Sequence, residues 1–155
     1  MLEEDGVKKL ERVAKPVQFF CATLPWKQLP DYPDIGNYKV NADNSPAFIG
    51  AADTGDDISN AAILLHEIVE SFLCWLHGVK EEDISAFDRA WFEKEKAGVK
   101  HLHEGPGDDP AAPYHLWHLV ATRFEREFLV QCGLTWEAHE ENCQRIYTFD
   151  KSVAE

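Results

Sequence analysis

Three ionisable residues lie in the middle of the apolar segment AAILLHEIVESFLCWLHG at residues 61–78, and His77 stands near its end. A buried charge is costly unless it is paired, changes protonation or binds a metal, so His66, Glu67 and Glu70 need partners. On a helix of 3.6 residues per turn, His66 and Glu70 lie one turn apart on one face, while Glu67 is rotated by about 100°. The spacing predicts that His66 and Glu70 ligate a metal ion and that Glu67 accepts the proton of an attacking water.

A second segment, YHLWHLVATRFEREF at residues 114–128, carries another histidine and glutamate on one face. His118 and Glu125 are seven residues apart, or about two helical turns, beside a broad apolar face. A hydrolytic metal site usually has three protein ligands, so we expect His118 to join His66 and Glu70. Two imidazoles and one carboxylate suit Zn²⁺, and also Fe²⁺ or Mn²⁺. Glu125 is expected to be either a fourth ligand or an acceptor that orients His118.

The remaining histidines are expected to lie outside this site. His115 stands near a helix start, and His77 stands near a helix end, where a positive charge is favourable. His139 is surrounded by glutamates, which predicts an exposed position. His101 and His103, in the loop sequence HLHE, are the alternative metal-binding pair, although such a loop is more typical of a solvated segment.

The elements that must position these residues follow from periodicity and from Gly and Pro. Residues 16–24 are β-prone, residues 25–38 are irregular, and two short extended pieces flank a turn at Asn44-Ser45-Pro46. Asp56, Asp57 or Ser59 can cap the helix that carries His66. Helices are predicted at about 59–77, 81–97, 113–132 and 135–147, followed by a frayed tail, DKSVAE.

This order of elements predicts an α+β fold that is mostly helical, with about four helices and a small N-terminal sheet or extended segment. A chain of 155 residues is most simply one domain, spanning residues 1–155. Within it, residues 1–58 are extended or irregular, and residues 59–147 form the helical part with the metal site.

Composition restricts the partners and the location. The chain has 15 Lys and Arg against 28 Asp and Glu, a formal charge of −13, which argues against a nucleic-acid partner. No apolar run reaches the roughly 18 residues of a membrane span, and MLEEDGVKKLERVAK lacks the apolar core of a signal peptide. We therefore expect no membrane association and a cytoplasmic location. Free thiols, rather than a cysteine-based zinc site, are expected from four scattered cysteines: Cys21, Cys74, Cys132 and Cys143.

Two resemblances add to this interpretation. The pentad HEIVE, residues 66–70, resembles the active-site helix of zincin metallopeptidases, with Glu70 in place of their second histidine. Residues 61–136 resemble short uncharacterised proteins of phages and prophages, which implies a metal site and a phage-encoded protein in a host cytoplasm. The residues that carry this second resemblance are His66, Glu67 and Glu70, Phe87-Asp88, the loop EGPGDDPAAPY, and His118, Ala121 and Glu125.

The leading hypothesis is a metal-dependent hydrolase of an amide or ester, with a small-molecule or peptide substrate. An alternative is an all-helical, Mg²⁺-dependent nucleotide pyrophosphohydrolase in which Glu67, Glu70 and Glu125 hold the ion. The other alternative is a non-enzymatic acidic phage protein that binds a host protein at its nucleic-acid site.

Overall fold

The computed structural model describes residues 20–24 and 35–152 of the chain. This part is an α+β fold, mostly helical, with a small three-stranded sheet, and the predicted fold class is confirmed. The strands come first, then four α-helices, with one 3₁₀ turn before the third. The elements are β1 (Phe20–Leu24), β2 (Gly36–Val40), β3 (Pro46–Ala52), α1 (Asp57–Leu76), α2 (Glu81–Lys96), the 3₁₀ helix η1 (Pro106–Asp108), α3 (His115–Cys132) and α4 (Trp136–Ser152).

The sheet has the order β1-β3-β2, so β3 is its central strand. β1 pairs with β3 in parallel, and β2 pairs with it antiparallel through a turn that includes Asn44 at a φ of 61°. The predicted turn between two extended pieces is thus confirmed. Ile49, Ala51 and Ala52 of β3 are fully buried, and the small alanines allow α1 to pack closely across the sheet.

Helix α1 begins where the sequence predicts. Its N-cap is Asp56, one of the three expected candidates, and the Asp56 carboxylate accepts the backbone N–H of Ser59 at 2.7 Å. The helix ends at Leu76, two residues before Gly78, and packs against both β3 and α3. This central position leaves its polar residues Ser59, His66 and Glu70 buried.

The hydropathy of α1 corrects the expectation that no segment is long and apolar enough to cross a membrane. Within the described residues, α1 is the one helix long and apolar enough to cross a membrane, with a mean hydropathy of 1.2 over 18 residues despite its charged positions. Of that stretch, 56% is buried inside the protein, as in the core helix of a globular fold.

The other helices differ from their predicted bounds by one or two residues, except at the end of α4. α3 starts at His115 rather than at Pro113, and α4 continues to Ser152, so residues 150–152 are helical and not a frayed tail. The rest of the predicted tail, most of the irregular segment and residues 16–19 of the predicted strand lie outside the described residues.

Candidate metal centre

Three predicted ligands meet between α1 and α3. Nε2 of His66 lies 3.3 Å from Oε2 of Glu70 and 3.2 Å from Nδ1 of His118. The third side of this triangle, from Nδ1 of His118 to Oε2 of Glu70, measures 3.0 Å. The helical register that places His66 and Glu70 one turn apart therefore brings both to a single histidine of α3, as the sequence predicts.

The size of this triangle matches a tetrahedral metal site. Bonds of about 2.0–2.1 Å from Zn²⁺ to nitrogen or oxygen imply ligand–ligand distances of about 3.3–3.4 Å, because a tetrahedron's edge is 1.63 times its centre-to-vertex distance. The three measured distances, 3.0, 3.2 and 3.3 Å, are slightly shorter than these edges. The cluster formed by His66, Glu70 and His118 could thus hold one metal ion with little side-chain movement.

The outer ring nitrogens of both histidines face carboxylates. Nδ1 of His66 donates to Oε2 of Glu125 at 2.9 Å, and Nε2 of His118 lies 3.6 Å from Oδ1 of Asp108. An acceptor at the outer nitrogen keeps the proton there and leaves the inner nitrogen as a lone pair for a metal. Once the inner nitrogen of each ring has lost its proton, these acceptors favour the tautomer that metal binding requires.

Without a cation, the inner atoms attract protons. Burial lowers the pKa of His66, but hydrogen bonds to Glu125 and Glu70 outweigh it and hold that pKa well above its ordinary value. The same balance, with Asp108 and Glu70 as partners, raises the pKa of His118 to about 9. Burial raises the pKa of Glu70, but its two histidine partners lower it to about 2. An ionised Glu70 beside two protonated imidazoles could exchange the two inner protons for a metal ion at the same point.

Glu125 lies at the outer edge of the His66 ring, away from the three converging atoms. Its carboxylate bridges two histidines, since Oε2 accepts from His66 and Oε1 accepts from Nε2 of His139 at 3.0 Å. Of the two expected roles, the structure places it in contact with a ligand histidine, and this histidine is His66 rather than His118. The two donors lower the Glu125 pKa to about 2, although burial raises it.

The prediction for His139 is wrong. This residue is 2% exposed, because it lies on the inner face of α4 and not on the face that carries the neighbouring glutamates. A signal was present in the sequence: His139 follows Trp136 by three residues and precedes Cys143 by four, the spacing of one buried helical face. The neighbouring glutamates favoured the exposed interpretation over this spacing.

Asp108 is a further site residue that sequence reasoning missed. It ends η1, which lies against the start of α3, and Gly107 beside it is buried directly under His118. A Cβ at Gly107 would lie 2.5 Å from Cγ of His118, so only glycine lets the loop approach this closely. The loop belongs to the quoted EGPGDDPAAPY pattern, but its conformation could not be inferred from periodicity.

Glu67 packs against the sheet and lines the cleft that the triangle also lines. Its carboxyl group packs directly on Gly36 at the start of β2, where a Cβ would overlap it. Glu67 lines the same cleft of about 700 Å³ as His66, Glu70 and His118.

The cleft is also lined by a buried, hydrogen-bonded pair, Tyr114 and Asp88. Tyr114 donates its hydroxyl to Oδ1 of Asp88 at 2.6 Å, and both residues line the cleft. Tyr38 also lines the cleft, and burial is the main reason that its pKa is raised well above its usual value, so this phenol stays protonated. The cleft therefore offers groups that can contact a bound molecule next to the metal ligands.

The other histidines make separate contacts. His77 stacks on Trp117 with ring centroids 3.9 Å apart, and His115 bonds the Gly107 carbonyl through Nδ1 at 2.8 Å. His101 stacks on Trp91 and also contacts its carbonyl through Nε2, so this ring is engaged in packing. The four cysteines are free, and Cys74 and Cys143 are buried, as expected of structural thiols.

Comparisons of the chain with models of protein families, with curated proteins and with solved structures find no match. The resemblances to zincins and to phage proteins stay predictions. The arrangement of His66, Glu70 and His118 is the feature of the described residues that bears on function.

Proposed function

We propose that this protein is a metal-dependent hydrolase of an amide or ester bond, with zinc as the metal. The observation that carries the proposal is the triangle of His66, Glu70 and His118, whose sides of 3.0–3.3 Å are close to tetrahedral edges. Three protein ligands with a neighbouring cleft are typical of catalytic zinc sites, whereas structural sites have four. Fe²⁺ and Mn²⁺ accept the same donors and are the alternatives.

In this proposal, the metal supplies Lewis acidity, lowering the pKa of a water molecule and polarising the scissile carbonyl. Glu67 would accept a proton from that water while the water oxygen adds to the carbonyl carbon. The same carboxyl group then returns the proton to the leaving amine or alcohol as the bond to carbon breaks. Gly36 supports this role, because it provides the space in which the Glu67 carboxyl group is held.

The nucleotide-hydrolase alternative receives less support. It requires Glu70 and Glu125 to share a Mg²⁺ ion, but the two carboxylates contact opposite edges of the His66 ring. Both also accept hydrogen bonds from histidines, which Mg²⁺ coordination would have to replace. The zinc site would replace the hydrogen bonds at Glu70 but leave those at Glu125 in place.

The proposal also covers the origin of the protein, its location in the cell and its partners. The resemblance to phage and prophage proteins supports a phage-encoded protein that acts in the host cytoplasm on a small molecule or a peptide. A role as an acidic ligand of a host protein would use the surface rather than the buried histidines. It would therefore survive the replacement of His66 and His118.

The test combines elemental analysis with the variant Glu67→Gln. We expect about one zinc ion per chain in the purified protein and in Glu67→Gln, while hydrolysis of a panel of amides and esters falls by about 10²–10⁴-fold in the variant. Glu127→Gln, on the exposed face of α3, is the matched control and should retain full activity. The absence of metal even after titration, or a Glu67→Gln variant as active as the parent, contradicts the proposal.

A further inference from the structure

A buried chain of hydrogen bonds connects the metal centre to α4. Nε2 of His139 donates to Oε1 of Glu125 at 3.0 Å, and Oε2 of Glu125 accepts from Nδ1 of His66 at 2.9 Å. The three side chains are only 3%, 7% and 10% exposed. Helices α4, α3 and α1 each contribute one member of this chain, and its inner end is a predicted metal ligand.

An ordinary core role does not account for His139. Its Nδ1 is buried and has no hydrogen-bond partner among the described residues, which is costly for a polar atom. Its other neighbour is the thiol of Cys143, 3.7 Å from Nε2, which is a weak hydrogen-bonding group. An apolar side chain at this position would avoid the penalty at Nδ1. The benefit that offsets it must come from Nε2, which contacts Glu125.

We propose that His139 is a positioning residue of the metal centre and acts on His66 through Glu125. The inference rests on the proposed metal site. A carboxylate with donors on both oxygens has a fixed orientation, whereas one with a single donor can rotate. Because Glu125 fixes both the tautomer and the ring orientation of His66, His139 determines how well Nε2 of His66 is presented to a metal.

The consequence is a coupling between metal binding and the packing of α4. Loss of groups that orient a ligand histidine typically weakens metal binding by 10–100-fold. His139 is one hydrogen bond further from the metal than Glu125. Replacing His139 should therefore weaken metal binding by about tenfold, the lower end of that range. Metal binding should in turn stabilise the docking of α4, because the two equilibria share the same hydrogen bonds.

The chain offers a matched control on the same face of α4. Asn142 is buried and donates to Oγ of Ser59 at 2.9 Å, so it also anchors α4 to α1. Ser59 precedes His66 by seven residues, or about 10 Å along the helix. Asn142→Ala should therefore lower the stability of the fold, while α4 stays docked in the native state and keeps the His139–Glu125–His66 hydrogen bonds.

The experiment measures Zn²⁺ affinity by competition with a chelator and records the visible spectrum of the Co²⁺-loaded protein. We expect His139→Leu to weaken Zn²⁺ binding about tenfold and to change the Co²⁺ spectrum. His139→Gln, whose amide can still donate to Glu125, should remain within about threefold of the parent and retain its spectrum. Asn142→Ala should lower the melting temperature but keep the parent affinity. Parent affinity and spectrum in His139→Leu, or an equal loss of affinity in Asn142→Ala, would overturn the inference.

A second measurement needs no metal. In the metal-free parent and in His139→Gln, the Nδ1 proton of His66 should give a slowly exchanging, downfield NMR signal because Glu125 holds it. In His139→Leu this proton should exchange faster, and an unchanged exchange rate would overturn the inference. If the parent binds no metal, the proposed function fails, whereas this signal still shows whether His139 orders His66.

Discussion

A methyl group at Gly107 would test the geometry of the metal centre without replacing any ligand. Its Cβ would lie 2.5 Å from Cγ, 2.6 Å from Nδ1 and 2.8 Å from Cδ2 of His118. Gly107 is buried in η1, so the methyl group cannot turn towards solvent. The His118 ring must therefore move away from the loop, and with it the nitrogen that faces His66 and Glu70.

The expected magnitude follows from these distances. Carbon atoms in ordinary contact are about 3.5 Å apart, so the ring has to retreat by about 1 Å. Ligand distances in a metal site tolerate only about 0.2 Å. Added methyl groups in well-packed sites cost about 1–3 kcal/mol. If this cost reduces the binding free energy of the metal by the same amount, Gly107→Ala should weaken Zn²⁺ affinity by about 5- to 150-fold.

The assay is Zn²⁺ competition with a chromophoric chelator, together with thermal unfolding with and without Zn²⁺. Gly105→Ala is the matched control in the same loop, because its Cβ would meet only Oδ2 of Asp108, at an ordinary 3.7 Å. It should bind Zn²⁺ like the parent. If Gly107→Ala binds Zn²⁺ as tightly as Gly105→Ala, then His118 is not a ligand in the orientation described here, and the reasoning is refuted.

Four further predictions concern the same site. His118→Ala should abolish the Zn²⁺-induced rise in melting temperature, which in the parent should reach about 5–10 °C at a hundredfold excess over Kd, and an undiminished rise would exclude His118 as a ligand. Gly36→Ala should displace Glu67 and lower kcat about tenfold or more at unchanged zinc content, and zinc loss instead would mean that Glu67 is a ligand. Zn²⁺ affinity should rise steeply from pH 6 to pH 8, because the pKa of His118 is about 9 and that of His66 is also raised, and an affinity that is flat above pH 7 would contradict this. Over the same range the metal-free protein should lose stability, since raised histidine pKa values stabilise the fold fully below pH 6.5 and the effect is lost as the pH passes the folded-state pKa values.

The triangle of His66, Glu70 and His118 was predictable in part because helical periodicity places His66 beside Glu70. His66 and Glu70 lie on one face of α1 by their spacing, and the interrupted apolar pattern indicated that this face is buried. His118 needed only a second helix with an apolar face beside it. The helices themselves were bounded by capping residues such as Asp56 and by glycines, so most ends were found within two residues.

The residues around the triangle could not be found in this way. Asp108 reaches His118 from a loop, and its position depends on the path of η1, which no periodic pattern encodes. Gly107 and Gly36 matter because of contacts across the fold, which appear only when elements pack. His139 is the intermediate case, because its spacing indicated a buried face while its acidic neighbours indicated an exposed one.

The placement of Glu125 bears most directly on whether the centre is catalytic or structural. A structural zinc site uses four protein ligands, and Glu125 was the candidate for the fourth. Both of its oxygens instead accept hydrogen bonds from histidines, so its carboxylate orients His66 and does not face the other ligands. His139 thus has a second consequence: by donating to Oε1, it helps to fix the Glu125 carboxylate at the outer side of the His66 ring. Under the proposed function, three candidate ligands beside a cleft that Glu67 also lines would supply the metal site and the base that hydrolysis needs.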